Sequence, residues 1–189
     1  MTNPFVKHLP RAVQFSQWLI QSRVGPGDTV VDATVGNGHD TLFLAKLVGP
    51  EGSVLGFDIQ ESAIATTREK TASLPQVALH HAGHEEIGTY LEDSAKAAMF
   101  NLGYLPGNEK HIITLPDSTI AALGQMAERL LPGGMITIAV YTGHPGGPEE
   151  GRAVKDWAEA LDQTCFSVIE YGFVNQKNSP PSLIAIERK

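Results

Sequence analysis

A strand that ends on an acid and turns on glycines fixes most of what this chain can become. Residues Thr29 to Thr41 read TVVDATVGNGHDT. Val30 and Val31 favour extended backbone, Asp32 closes the run, and Gly36 and Gly38 permit positive φ and the close approach of a ligand. From His39 onward the spacing of Leu42, Phe43, Leu44, Ala45 and Leu47 suits a helix. The segment therefore predicts strand, tight turn, helix. About 20 residues past Gly38, a second apolar run, Ser53 to Phe57, ends at Asp58, where nucleotide-binding α/β folds place a carboxylate that accepts hydrogen bonds from ribose hydroxyls. An adenosine-bearing cofactor is the expected ligand.

The turn departs from the dinucleotide fingerprint, because Thr41 stands where Gly36-Asn37-Gly38-His39-Asp40-Thr41 would need its third glycine. A carboxylate at Asp32 repels a pyrophosphate but tolerates a ligand with an amino group and a sulfonium cation, so S-adenosylmethionine suits the site better than NAD. An acid followed by alternating glycines resembles the class I methyltransferase glycine loop, with Thr34 where the first glycine commonly lies. The bland alternative is a glycine turn that merely joins a strand to a helix, and Asp58 weighs against it. The residues expected at the cofactor are Asp32, Gly36, Asn37, Gly38, His39, Asp40, Thr41, Asp58 and Gln60.

At 189 residues the chain suits one domain with one sizeable core, its first 27 residues forming an N-terminal helical segment. A composition of 42% hydrophobic and 19% charged residues fits a globular protein, and no apolar run reaches the ~20 residues of a spanning helix. The N-terminus lacks the apolar core of a secretory signal, and Cys165, the single cysteine, reads as a buried strand residue. Both points favour the cytoplasm. The formal charge of −7 argues against a broad, nonspecific nucleic-acid binder but permits local basic clusters. Lys7 with His8 and Arg11, Lys110 with His111, and Lys177 with Arg188 and Lys189 are the candidates, each equally readable as ordinary solvated charge.

Helical and strand-like segments alternate along the whole length. An amphipathic helix is expected at 11–22 and strands at 29–33, 53–57, 77–81, 96–101 and 134–141, with Pro132-Gly133-Gly134 marking the start of the last. The runs 165–174 and 182–188 are joined too closely for a crossover helix and predict an antiparallel pair. The fold class is α/β: a Rossmann-like, mostly parallel sheet with helices on both faces and a C-terminal antiparallel hairpin, as in the seven-stranded class I methyltransferase sheet.

Ligands of such sheets bind at the carboxyl ends of the strands. The third strand is followed by Gly83-His84-Glu85, where His84 or Glu85 is placed to meet the adenine or simply to cap a helix. The fourth ends in Asn101-Leu102-Gly103-Tyr104, which resembles the Asn-Pro-Pro-Tyr motif of methyltransferases acting on amino groups. In that motif the Asn oxygen and the next carbonyl accept the target N–H bonds and aim the nitrogen lone pair at the methyl carbon. Tyr104 is suited to stack on a flat base, while the plain readings are a turn asparagine and a loop aromatic. The fifth ends in Tyr141-Thr142-Gly143-His144, and His144 is a candidate for substrate binding or proton relay, or a loop histidine satisfied by backbone. Asp117 or Ser118 is expected to cap the following helix. His80, His81 and His84 lack a matching second group of ligands, so no metal site is expected.

Together DATVGNGHDT, GFDIQES, FNLGYLPG, DSTI, YTGHPGG and YGFVNQKNSPPSLIAIE resemble a small bacterial methyltransferase family described as ribosomal-RNA methylases, the likeness running from Asp28 onward. Some of its members, of the MnmM/YtqB type, convert 5-aminomethyluridine at the tRNA wobble position to 5-methylaminomethyluridine. The resemblance implies that activity, with S-adenosylmethionine as donor, the tRNA anticodon loop as partner, a homodimer, and Asn101, Tyr104 and His144 facing the base. Alternatives are a ribosomal-RNA methyltransferase, a nicotinamide oxidoreductase, and a noncatalytic RNA-binding module with a relic pocket.

Overall fold

The computed structural model describes residues 8–103 and 114–189. The strands are β1 (Thr29–Asp32), β2 (Ser53–Asp58), β3 (Val77–His81), β4 (Ala95–Leu102), β5 (Leu130–Val140), β6 (Phe166–Tyr171) and β7 (Ser182–Arg188). The helices are α1 (Ala12–Gln21), α2 (His39–Val48), α3 (Glu61–Thr71), α4 (Ile87–Tyr90), α5 (Pro116–Arg129) and α6 (Gly147–Glu159), with a 3-10 turn, His84–Glu86, leading into α4. Among the described residues, the seven strands share one sheet in the order β3-β2-β1-β4-β5-β7-β6. β1 to β5 run parallel, and β7 pairs antiparallel with both β5 and β6. This is the mostly parallel sheet with a closing hairpin that the sequence predicts.

The strand period of two divides the core between the faces of the sheet. Val30, Val54, Ala97 and Met99 pack with Ile20 of α1 and Leu44 and Val48 of α2. Their chain neighbours Val31, Leu55, Ala98 and Phe100 pack on the other side with Ile87, Leu123, Met126 and Val154. Burial on both faces explains why these strands are continuous apolar runs. A buried hydroxyl pair, Ser16 Oγ donating to Thr137 Oγ1 at 2.8 Å, holds α1 against β5.

Three local expectations are corrected. Pro132-Gly133-Gly134 does not begin β5 but forms a bulge inside it: Ala95 pairs with Leu130 and Ala97 with Met135, so 131–134 are looped out of the ladder. Proline has no N–H for the ladder, and Gly133 takes φ +68° to close the excursion. Cys165 is exposed, because it lies before β6 in a turn closed by its N–H donating to the Asp162 carbonyl at 2.9 Å. Asp117 and Ser118 lie within the first turn of α5, whose N-cap is Leu115; Pro116 occupies N1, so the helix starts two or three residues earlier than either cap would place it. In the third basic cluster Arg188 donates to the carbonyls of Glu128 and Leu130 and Lys189 to that of Gln163, while Lys177 is exposed.

Candidate active site

The carboxyl ends of β1, β2, β4 and β5 open into a cavity of about 680 Å³, closed on one side by α1 through Val13 and Gln17. Its floor is the glycine turn. Asp32, at the end of β1, is fully buried beneath that turn and accepts the Thr34 N–H at 3.2 Å and the Thr41 hydroxyl at 2.6 Å. Burial, and then the nearby charge of Asp40, push its carboxyl up to about 7, against the pull of those hydrogen bonds. Gly36, at φ +51°, donates its N–H to Asp58 Oδ2 at 2.8 Å, and the Gln60 N–H reaches Asp58 Oδ1 at 2.8 Å.

Helix α3 clamps the turn from outside. The Thr67 hydroxyl donates to the Gly36 carbonyl at 3.2 Å and Lys70 Nζ to the Asn37 carbonyl at 2.7 Å. Gly38 is required twice over: its φ is +75°, and a Cβ there would lie 2.6 Å from Thr67 Oγ1.

This floor fits an adenosyl sulfonium. Asp58 lines the cavity with two of its roughly four acceptor positions taken by backbone donors, which leaves capacity for ribose hydroxyls. Ile59 offers an apolar surface beside it, and among the described lining residues are Asp40, Asp58 and Glu85 but no lysine or arginine. That balance favours a cationic ligand.

At the opposite end, the Asn101 N–H donates to Thr34 Oγ1 at 2.8 Å and its side-chain Nδ2 to Asp40 Oδ2 at 2.6 Å. Asp40 Oδ1 accepts from Gln17 Nε2 at 2.7 Å. Thr34 therefore has a task no glycine could perform, tying the β1 turn to the end of β4. Past Asn101, the Gly103 N–H donates to Thr114 Oγ1 at 3.0 Å and the Thr114 N–H to the Gly103 carbonyl at 3.1 Å. Glu150, 1% exposed, accepts the Thr114 hydroxyl at 2.6 Å and the Thr119 hydroxyl at 2.7 Å.

Of the residues expected at the cofactor, Gly36, Asn37, His39, Asp40, Asp58, Gln60, His84 and Glu85 line the cavity, whereas Asp32, Gly38 and Thr41 stand behind its wall. His84 is buried edge-on to Phe100, bonded to the Ala33 backbone and 3.4 Å from the Thr119 hydroxyl. Burial draws its imidazole below the ordinary histidine range despite the opposing charge of Glu85. Asn101 is on the wall. His144 is not: its ring sits between Gly103 and Gly147, with Nδ1 3.0 Å from the Pro145 carbonyl. Tyr104, Lys7, Lys110 and His111 lie outside the described residues.

The sequence reading gave no site role to Gln17, Thr34, Tyr141 or Glu150. Tyr141 lines the cavity, and its hydroxyl is pushed above the usual tyrosine range by burial and then by Asp40. Its place at the end of β5 was the one available signal. Among the described residues no group of acids, histidines or cysteines is placed to hold a metal, and no helix is long and apolar enough to cross a membrane.

Sheet order, the acid-tipped glycine turn and the strand-end carboxylate define a class I S-adenosylmethionine-dependent methyltransferase. Residues 54–187 match the family model described as "Putative rRNA methylase". The tRNA (mnm(5)s(2)U34)-methyltransferase, chloroplastic, of Arabidopsis thaliana is 36% identical over 197 residues, covering 95% of this chain and 70% of that protein. Among solved structures, a "putative rRNA-methylase" from Clostridium thermocellum superposes with a TM-score of 0.94 at 44% identity, covering 96% of this chain and 100% of that one. SMU.1697c from Streptococcus mutans, solved in complex with SAH, gives 0.89 at 38% identity, again covering 96% and 100%. The chain belongs to this rRNA methylase family of methyltransferases.

Proposed function

We propose that the protein is a tRNA methyltransferase that converts 5-aminomethyluridine at wobble position 34 to 5-methylaminomethyluridine. The observation that carries this reading is the Asn101 amide. Its nitrogen is committed to Asp40 at 2.6 Å, so the side-chain oxygen is left as the acceptor at the end of β4. An acceptor in that place suits a target bearing N–H bonds, and the Arabidopsis relative carries a wobble-uridine activity in its name.

S-adenosylmethionine, when bound, supplies an electrophilic methyl group on a positively charged sulfur. Gly36, Asn37, Asp58 and Gln60 would hold it, with His84 and Glu85 on the adenine side. Asn101 orients the amine, and the apolar walls formed by Val13, Leu102 and Leu115 displace water around it. Tyr141, and by resemblance Tyr104, would stack on the uracil ring, which an unpaired anticodon loop can splay outward. On this reading Arg11 contacts tRNA phosphates, His144 supports the substrate end of the site, and the enzyme works in the cytoplasm as a homodimer.

The test is incubation of the purified protein with labelled S-adenosylmethionine and tRNA lacking the terminal wobble methyl, followed by nucleoside mass spectrometry. Label in 5-methylaminomethyluridine is the expected result. The family's description favours a second reading, methylation of ribosomal RNA, and label in ribosomes but not in tRNA would establish that reading in place of the first.

A further inference from the structure

We propose that Asp40 selects the acceptor, admitting a basic primary amine as its ammonium form and then taking its proton. The inference rests on the amine-directed reading above and deepens it. Asp40 is 8% exposed yet lines the cavity, and its two oxygens are held from opposite walls by Gln17 of α1 and Asn101 of β4. Both holders are neutral amides. They fix the carboxylate without discharging it, and no ion pair to Asp40 exists among the described residues.

An acid in the first turn of a helix commonly serves only to complement the helix dipole, from an exposed position. That role needs neither burial nor two side-chain amides contributed from elsewhere in the fold. A buried, uncompensated carboxylate is costly unless a cation reaches it. Its charge is already felt nearby, since it contributes to raising both Asp32 and Tyr141.

An ammonium group has three donors. One can reach a remaining lone pair of Asp40 and another the oxygen of Asn101, whose orientation Asp40 itself sets. Transfer of one proton to Asp40 breaks an N–H bond, forms an O–H bond and leaves the electron pair on nitrogen. The proton then departs to solvent when product leaves.

The experiment measures binding of two tRNAs in the presence of SAH, one with 5-aminomethyluridine at position 34 and one with unmodified uridine. The wild type is expected to prefer the first by about tenfold, the worth of one charge-assisted hydrogen bond. Asp40→Asn should bind both within about twofold of each other, with an unchanged circular dichroism spectrum as the check on folding. Asp40→Glu, which keeps the charge, should restore a preference of at least about threefold and tests the idea should the Asn variant fail to fold. Retention of the full wild-type preference by Asp40→Asn, or none with a folded Asp40→Glu, overturns the inference. If the wild type methylates no aminomethyl tRNA, the proposed function falls together with it; if it does so while Asp40→Asn still discriminates, only the inference is lost.

Discussion

Glu150 Oε1 lies 2.7 Å from the Thr119 hydroxyl, so a buried carboxylate in the first turn of α6 is fastened to the first turn of α5. Its other oxygen accepts the hydroxyl of Thr114, whose N–H donates to the Gly103 carbonyl. Glu150→Ala leaves two threonine hydroxyls without their acceptor and should destabilise the fold by about 3 kcal/mol in urea titrations. Glu150→Gln retains one acceptor and should lose about half as much. Equal midpoints for Glu150→Ala and the wild type would show that the two threonines find other partners.

Asp58→Ala removes the acceptor that holds the Gly36 N–H and, on the proposed reading, the carboxylate that would bind the donor's ribose. Loss of charged hydrogen bonds of about 1.5–3 kcal/mol corresponds to donor binding weakened by roughly 10- to 100-fold or more. Calorimetry with S-adenosylmethionine reads this directly, and an unchanged affinity would contradict the assignment.

Asn101→Ala should leave donor affinity within about threefold and lower turnover by about 100-fold, because misorientation of a bound nucleophile acts on the rate rather than on the cofactor. Isothermal binding and single-turnover methylation together separate the two effects. A parallel loss of both would make Asn101 part of the donor pocket.

Gly38→Ala meets two obstacles, the left-handed backbone and Thr67 Oγ1 at 2.6 Å. A destabilisation of about 2–3 kcal/mol is expected. Adding Thr67→Ala should recover the steric part but not the backbone part, a coupling that a double-mutant cycle measures. Strict additivity would mean that the helix shifts away instead.

Asp32 makes stability depend on pH. Its carboxyl is raised from 3.8 to about 7 in the fold, so between those values the folded chain holds more protons than the unfolded one. Stability should therefore be greatest at the acid end of this window, fall as pH rises through it and level off above about 7, a loss of up to about 4 kcal/mol. Asp32→Asn should flatten this part of the profile, read as thermal midpoints at pH 5 and pH 8. A steeper profile in the variant would place the titrating group elsewhere.

The strands were legible because runs such as Val30-Val31 and Ala97 to Phe100 are buried on both faces, which leaves a continuous apolar signature. The glycine turn was legible because positive φ at Gly36 and Gly38 restricts the residue type. Asn101 stood out by its position at a strand end. Gln17 did not, since a glutamine on an amphipathic helix looks the same whether it faces solvent or a cavity, and only the docking of α1 on β5 decides. Glu150 was hidden for the same reason, its partners lying 31 and 36 residues away. Cys165 misled because apolar neighbours mark a strand without revealing that it starts one residue later, at Phe166.

Since α1 supplies Gln17 to the carboxylate that orients Asn101, trimming the chain to begin at the first strand would strip away a wall of the reaction chamber. Such a truncated protein should still grip its methyl donor and yet be unable to use it.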